Sequence, residues 1–186
     1  MNLLAIDTST DRITLGLSVG EKKDFFIGDK GCKRHNSTLL SAIDELLDRN
    51  KITVRDIDVI GVVCGPGSFT GIRIGVSTAN ALAMATQAKI VEITSLEQLF
   101  DGKSKIILLD CGHDSFYSAT FSAESGEVFY QEISVKQVDE CNFEKVYLTE
   151  SDPEKILKKC IEKAQNAEFV SQAKPFYMKK SSAERM

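Results

Sequence analysis

The residues with the clearest chemical potential form one loop, Gly65-Pro66-Gly67-Ser68-Phe69-Thr70-Gly71, which follows the apolar run Val59 to Cys64 and leads into a helical pattern. A helix that starts just after a glycine-rich turn presents unpaired backbone N–H groups and the positive end of its dipole, a combination that can hold a phosphate or carboxylate. Gly65, Gly67, Ser68 and Thr70 are therefore candidate anion-site residues, the last two as hydroxyl donors. The spacing matches neither the dinucleotide fingerprint G-x-G-x-x-G nor the phosphate loop G-x-x-x-x-G-K-[ST]. The same glycines would also serve a tight strand-to-helix turn that seats the helix close to the sheet, and the chemistry alone favours that reading.

Other reactive side chains are scattered. Cys111 and His113 would share one face of a strand, with Asp110 or Asp114 placed to orient a thiol–imidazole pair. No known nucleophile pattern surrounds them. His35 precedes Asn36-Ser37 at a helix start, which suits a capping or interface hydrogen bond better than a catalytic base. Neither histidine has metal-ligand spacing, and the five cysteines (Cys32, Cys64, Cys111, Cys141, Cys160) include no C-x-x-C pair. Neither a disulfide framework nor a zinc site is indicated, and a reducing cytoplasm is the expected setting.

The elements that must position these residues can be read in order. Leu3 to Ile6 is a buried-type strand, Ile13 to Val19 alternates with period two, and Gly20-Glu21 suits a type II′ turn into a returning strand, Asp24 to Ile27. Asn36 or Ser37 is expected to cap a helix whose stripe is Leu39, Leu40, Ile43, Leu46 and Leu47, ending near Asn50. Val59 to Cys64 reads as a strand covered on both faces. A long helix to about Gln87, a strand Ile90 to Ile93 and a short helix from Ser95 to Phe100 follow.

Beyond Asp101-Gly102-Lys103-Ser104, strands are expected at Lys105 to Asp110, Ser115 to Phe121, Val128 to Val135 and Lys145 to Leu148. A helix then begins at Pro153, with Asp152 before it and Ile156, Leu157, Cys160, Ile161 and Ala164 as its buried stripe. The expected division is an N-terminal lobe, residues 1–101, and a smaller C-terminal α/β lobe, residues 102–186, with a basic tail that includes Lys179, Lys180 and Arg185.

With 42% hydrophobic and 27% charged residues, the composition is that of a soluble globular protein. No run approaches the ~18 apolar residues of a membrane span, and Met1 to Asp7 reads as a strand instead of a leader. A formal charge of -4 opposes independent binding of nucleic acid, which relies on clustered cations.

Within the long helix, Gly71, Gly75, Ala79 and Ala83 recur every four residues, bordered by Ile72, Val76 and Met84. Two glycines cost about 2 kcal/mol of helix propensity relative to alanine, so this bare face implies close backbone approach. Periodicity leaves two occupants open, a helix of another chain or this chain's own sheet.

Three motifs bear a family resemblance: Ala5-Ile6-Asp7-Thr8-Ser9-Thr10, His35-Asn36-Ser37-Thr38-Leu39-Leu40, and Cys64 through Gly75. In order and spacing they resemble the TsaB (YeaZ) family, subunits in the formation of threonylcarbamoyladenosine in tRNA. Pro175-Phe176-Tyr177-Met178 is similar to that family's closing Pro-x-Tyr-Leu-Arg. The second lobe departs from it, reading Asp110-Cys111-Gly112-His113-Asp114-Ser115-Phe116-Tyr117 where relatives often have Asp-Ala-Arg and then Glu-Val-Tyr.

The resemblance implies a two-lobed α/β fold of the actin, hexokinase and Hsp70 class, with ribonuclease-H-like lobes. It implies a non-catalytic scaffold or activator that binds TsaD, the transferase that modifies adenosine next to the anticodon. Docking would use the helix after the Gly-Pro-Gly loop, with Gly71, Ile72, Gly75, Val76, Ala79, Ala83 and His35 as interface residues. The ATPase TsaE would be a further partner, the isolated chain would form a homodimer, and tRNA would be reached through the complex.

Kinase-type relatives hold magnesium or phosphate with a carboxylate at the end of the first strand, so Asp7 joins the anion-site candidates. The chain is expected to have no cofactor of its own, and the place left for ATP or ADP is the interface of the complex. The His-x-x-x-His metal motif of TsaD-type relatives falls on Ser95 and Leu99 here, and leucine cannot ligate a metal. The alternatives are a nucleotide-binding phosphotransferase or ATPase of the same fold class, and a peptidase.

Overall fold

The structure is a computed structural model and describes residues 1–30 and 35–178, with side chains of the next helix described from Thr38 onward. The first sheet contains β1 (Asn2–Asp7), β2 (Thr14–Val19), β3 (Lys22–Ile27), β4 (Val59–Val63) and β5 (Lys89–Ile93) in the order β3-β2-β1-β4-β5. The first three strands form an antiparallel meander, and β4 and β5 add in parallel beyond β1. Val19 pairs with Lys22 across Gly20-Glu21, and Gly20 alone of the two takes positive φ, at 60°, as a type II′ turn requires.

Helices α1 (His35–Arg49) and α2 (Phe69–Thr86) cover one face of this sheet. There Leu4, Ile6, Ile60 and Val62 meet Leu39, Ile43, Leu46, Ile72 and Val76 in one apolar cluster. Helix α4 (Pro153–Gln165) covers the other face, packing Ile156, Leu157 and Cys160 against Leu3, Ala5, Val59 and Val63. Strands β1 and β4 are thus apolar at every internal position because both faces are covered.

Three local expectations change. Helix α1 begins at His35, so Asn36 and Ser37 lie within it and do not precede it as caps. Leu40, counted in the buried stripe, is 52% exposed, because the packed face centres on Leu39, Ile43 and Leu46. The expected helix from Ser95 to Phe100 is only a single 3-10 turn at Glu97–Leu99.

The second sheet contains β6 (Lys105–Gly112), β7 (Ser115–Phe121), β8 (Val128–Ser134) and β9 (Lys145–Tyr147) in the order β8-β7-β6-β9. A short helix α3 (Val135–Asp139), capped reciprocally by Ser134 and Gln137, stands where the strand reading ran on to Val135. The α4 start follows expectation, with Pro153 in the first turn and the Asp152 carboxylate accepting from Glu154 N and Lys155 N at 3.0 and 3.2 Å.

The expected division at residue 101 requires correction, since the chain returns to the first lobe. Helix α4 lies on the first sheet, and residues 170–177 run back across β5 and α2 as a strap. Only the segment carrying β6 to β9 and α3 forms the second sheet's lobe. The apolar stripe of α4 finds its partner on the far face of β1 and β4, which no local pattern could specify. Lys179, Lys180 and Arg185 lie outside the described residues. Among the described residues, no helix is long and apolar enough to cross a membrane.

Candidate functional site

The ends of β1 and β4 lie side by side, so the turns that follow them meet. Ser68 N donates to Ser9 O at 2.6 Å, and the Ser68 hydroxyl accepts from Gly71 N at 3.2 Å, capping α2. The Thr8 hydroxyl donates to Gly71 O at 2.7 Å. Helix α2 is therefore fastened directly onto the turn that ends β1.

Asp7 is fully buried. One carboxylate oxygen accepts from Ser9 N at 2.7 Å and the other from the Ser151 hydroxyl at 2.5 Å, on the segment returning to α4. Burial pushes its pKa above the ordinary carboxylate value, opposed by the bonds from Ser151 and Ser9. This carboxylate ties the return segment to β1.

Of the other anion-site candidates, Gly65 O accepts from Ser95 N at 2.9 Å, and Pro66 O accepts from the Ser95 hydroxyl at 2.6 Å. Ser68 caps its own helix and Thr70 is exposed on α2. Gly67 and Ser68 line a cleft of about 570 Å³ whose opposite wall, from the second sheet, includes Leu109, Asp110 and Tyr117. Its charged lining is mixed, with Lys30 opposed by Asp11 and Asp110. Ser95 is fully buried and Leu99 packs in the apolar cluster of the second lobe, so the two positions matching the metal motif serve the turn and the core.

The small-residue face is occupied by the chain itself, which corrects the expectation that it seats a partner. Gly71, Ile72, Gly75, Val76, Ala79 and Ala83 are the buried residues of α2. A Cβ on Gly71 would fall 1.9 Å from Thr8 O, and one on Gly75 would fall 2.4 Å from the Thr8 hydroxyl. The glycines are required because β1 and its turn lie directly beneath the helix. His35 opens α1, and its side chain lies outside the described residues.

The opposite face of α2 is the one left open. Thr70, Arg73, Ser77, Ala81, Met84 and Ala85 are exposed, Met84 at 85%. Arg73 is the sole charged residue in the helix's 18. Exposed helix faces ordinarily carry several charged residues, whereas protein interfaces are depleted of them and enriched in Met and Arg. The α1 residue Leu40 is exposed as well. The sequence signal for this face is the absence of Asp, Glu and Lys from Phe69 to Thr86, which the glycine repeat on the opposite face does not encode.

Arg73 is also held in place. Its Nε donates to the Tyr177 hydroxyl at 2.8 Å, its guanidinium carbon stands 3.9 Å from the Phe69 ring centroid, and the Phe69 and Tyr177 rings stack at 4.8 Å. The strap that carries Tyr177 is bonded to α2 again at Asn80, which donates to Ala173 O at 3.0 Å and accepts from Ala173 N at 2.8 Å.

The Cys111–His113 pair does not share a strand face. His113 and Asp114 form the two-residue turn between β6 and β7, both with positive φ, at 55° and 53°.

A sheet of three antiparallel strands extended by two parallel ones, covered by helices on both faces and followed by a smaller sheet, is the two-lobed α/β architecture of the actin, hexokinase and Hsp70 class. The family model described as "TsaD: tRNA N6-adenosine threonylcarbamoyltransferase" matches residues 29–184. A TsaB protein of Haemophilus influenzae is 29% identical over 152 residues, 74% of this chain and 64% of the relative. One from Bacillus subtilis is 33% identical over 132 residues, 69% of this chain and 53% of the relative. A Pseudomonas aeruginosa structure described as similar to peptidase YEAZ superposes with a TM-score of 0.78 at 22% identity, covering 96% of this chain and 99% of that one. The chain belongs to the family that this TsaD model defines, and within it to the TsaB (YeaZ) branch. It spans about half to two thirds of the length of the curated relatives it matches.

Proposed function

We propose that this chain is an accessory subunit in the biosynthesis of threonylcarbamoyladenosine in tRNA, docking on the transferase TsaD and contributing surface instead of chemistry. The pathway is the one in the names of its TsaB relatives. The observation that carries the docking reading is the exposed row of α2, Thr70, Ser77, Ala81, Met84 and Ala85, on a helix with one charged residue. Leaving Met84 in water forfeits about 1.5–3 kcal/mol of apolar burial, which a docked partner recovers.

The accessory role is supported by how the chain uses its reactive groups. The Asp7 carboxylate is bonded on both oxygens inside the fold, and Ser68 is spent on its own helix. TsaE as a further partner, a homodimer of the isolated chain on the same face, and ATP or ADP at the interface of the complex extend this proposal. The test is reconstitution with TsaD and its other components on unmodified tRNA, with the modified nucleoside measured by mass spectrometry. Modification is expected only when both this chain and TsaD are present. Modification by this chain in TsaD's absence, or unchanged modification when it is omitted, overturns the proposal.

A further inference from the structure

The docking reading leaves one side chain unexplained. An arginine on a surface row otherwise free of charge would ordinarily be a mobile, solvated cation. Here Arg73 is fixed, with Nε bonded to the Tyr177 hydroxyl and its guanidinium carbon over the Phe69 ring. The guanidinium makes no ion pair among the described residues. With Nε occupied, the N–H groups of both terminal nitrogens remain for a partner, in the fork that matches the two oxygens of a carboxylate. Holding it in place beforehand removes much of the side-chain ordering cost of binding.

We propose that Arg73, clamped by Phe69 and Tyr177, is a pre-set receptor for an Asp or Glu carboxylate of the protein that docks on α2. This rests on the docking reading above and adds the chemistry of the partner's complementary residue. A protein carboxylate is favoured over an RNA phosphate for two reasons. No second cation stands on α2 to continue along a phosphate backbone, and the chain's net charge is -4. The neighbouring Ser77, Ala81 and Met84 offer a protein surface instead. Tyr177 is a positioning residue, since it acts through Arg73.

The experiment measures the affinity of the full chain for TsaD by titration calorimetry at several salt concentrations. Arg73→Gln is expected to weaken binding about 30-fold and flatten its salt dependence, as truncation of a central interface arginine does. Arg73→Lys keeps the charge and loses the fork, and is expected to weaken binding about 10-fold. Tyr177→Phe keeps the ring stack and loses the Nε anchor, for about 3-fold, and this effect should vanish in the Arg73→Gln background. Met84→Asp, elsewhere on the same row, tests the docking reading separately. If Met84→Asp abolishes binding while both Arg73 variants bind like the wild type, docking stands and the carboxylate receptor is overturned. If none of the variants changes affinity, the docking face itself is wrong. If Arg73→Gln spares TsaD binding but lowers tRNA retention by the complex, the fork serves phosphate and the proposal is likewise overturned.

Discussion

Gly71→Ala separates a docking seat from internal packing more sharply than any other substitution. On an exposed helix face this change stabilises, because alanine is favoured over glycine in a helix by about 1 kcal/mol. Here the new Cβ would fall 1.9 Å from Thr8 O, where about 3.4 Å is the ordinary contact. The obstacle is backbone, so the helix itself must retreat. Retreat pulls on two bonds across the junction, Thr8 Oγ1 to Gly71 O at 2.7 Å and Ser68 N to Ser9 O at 2.6 Å. Overpacking costs about 1–3 kcal/mol, and loss of the two bonds about 1 kcal/mol each. Set against the propensity gain, the net loss is about 2–4 kcal/mol. For a chain of this size that lowers Tm by about 5–15 °C. Thermal and urea unfolding of the purified variant measure it. An unchanged or raised Tm together with lost association would refute the packing argument and restore the glycine face as a partner's seat.

Further outcomes follow from the same structure. Met84→Asp, at a position 85% exposed, should change unfolding stability by no more than about 0.5 kcal/mol, while association with TsaD or with a second copy, read by sedimentation, falls at least about 10-fold. Asp7 has a raised folded-state pKa, so the folded chain holds its proton more tightly than the unfolded one. Stability is therefore lost as pH rises from the unfolded value of about 4 through the folded value. Asp7→Asn, which can keep bonds to Ser9 N and Ser151, should raise Tm relative to the wild type more at pH 8 than at pH 4; a gap that grows on acidification counts against this account. Asn80→Ala removes both bonds to Ala173, worth about 2 kcal/mol together, so amide exchange across residues 170–177 should quicken by about 10–30-fold. Unchanged exchange would mean that the strap is held by its other contacts, including Phe176 N to Cys64 O at 2.8 Å.

What the sequence determined is what local pattern encodes. Continuous apolar residues in β1 and β4 meant coverage on both faces, and the period of α1 and α4 marked their buried stripes. Gly20-Glu21 specified its turn, and Asp152-Pro153 specified a helix start. The four-residue repeat of Gly71, Gly75, Ala79 and Ala83 announced a close approach without naming the approaching backbone, because a helix period records that one side is bare and carries no information about its neighbour. Only the tertiary structure decided that Thr8 lies beneath that side, which turned the exposed row of Thr70, Ser77, Ala81 and Met84 outward. It alone brought α4 back from the second lobe to the first, since an apolar stripe fits any apolar sheet face and loop closure selects among them. Tyr177 reaches Arg73 across 104 positions of sequence, a pairing set by where the strap crosses α2. No period or local motif could contain it.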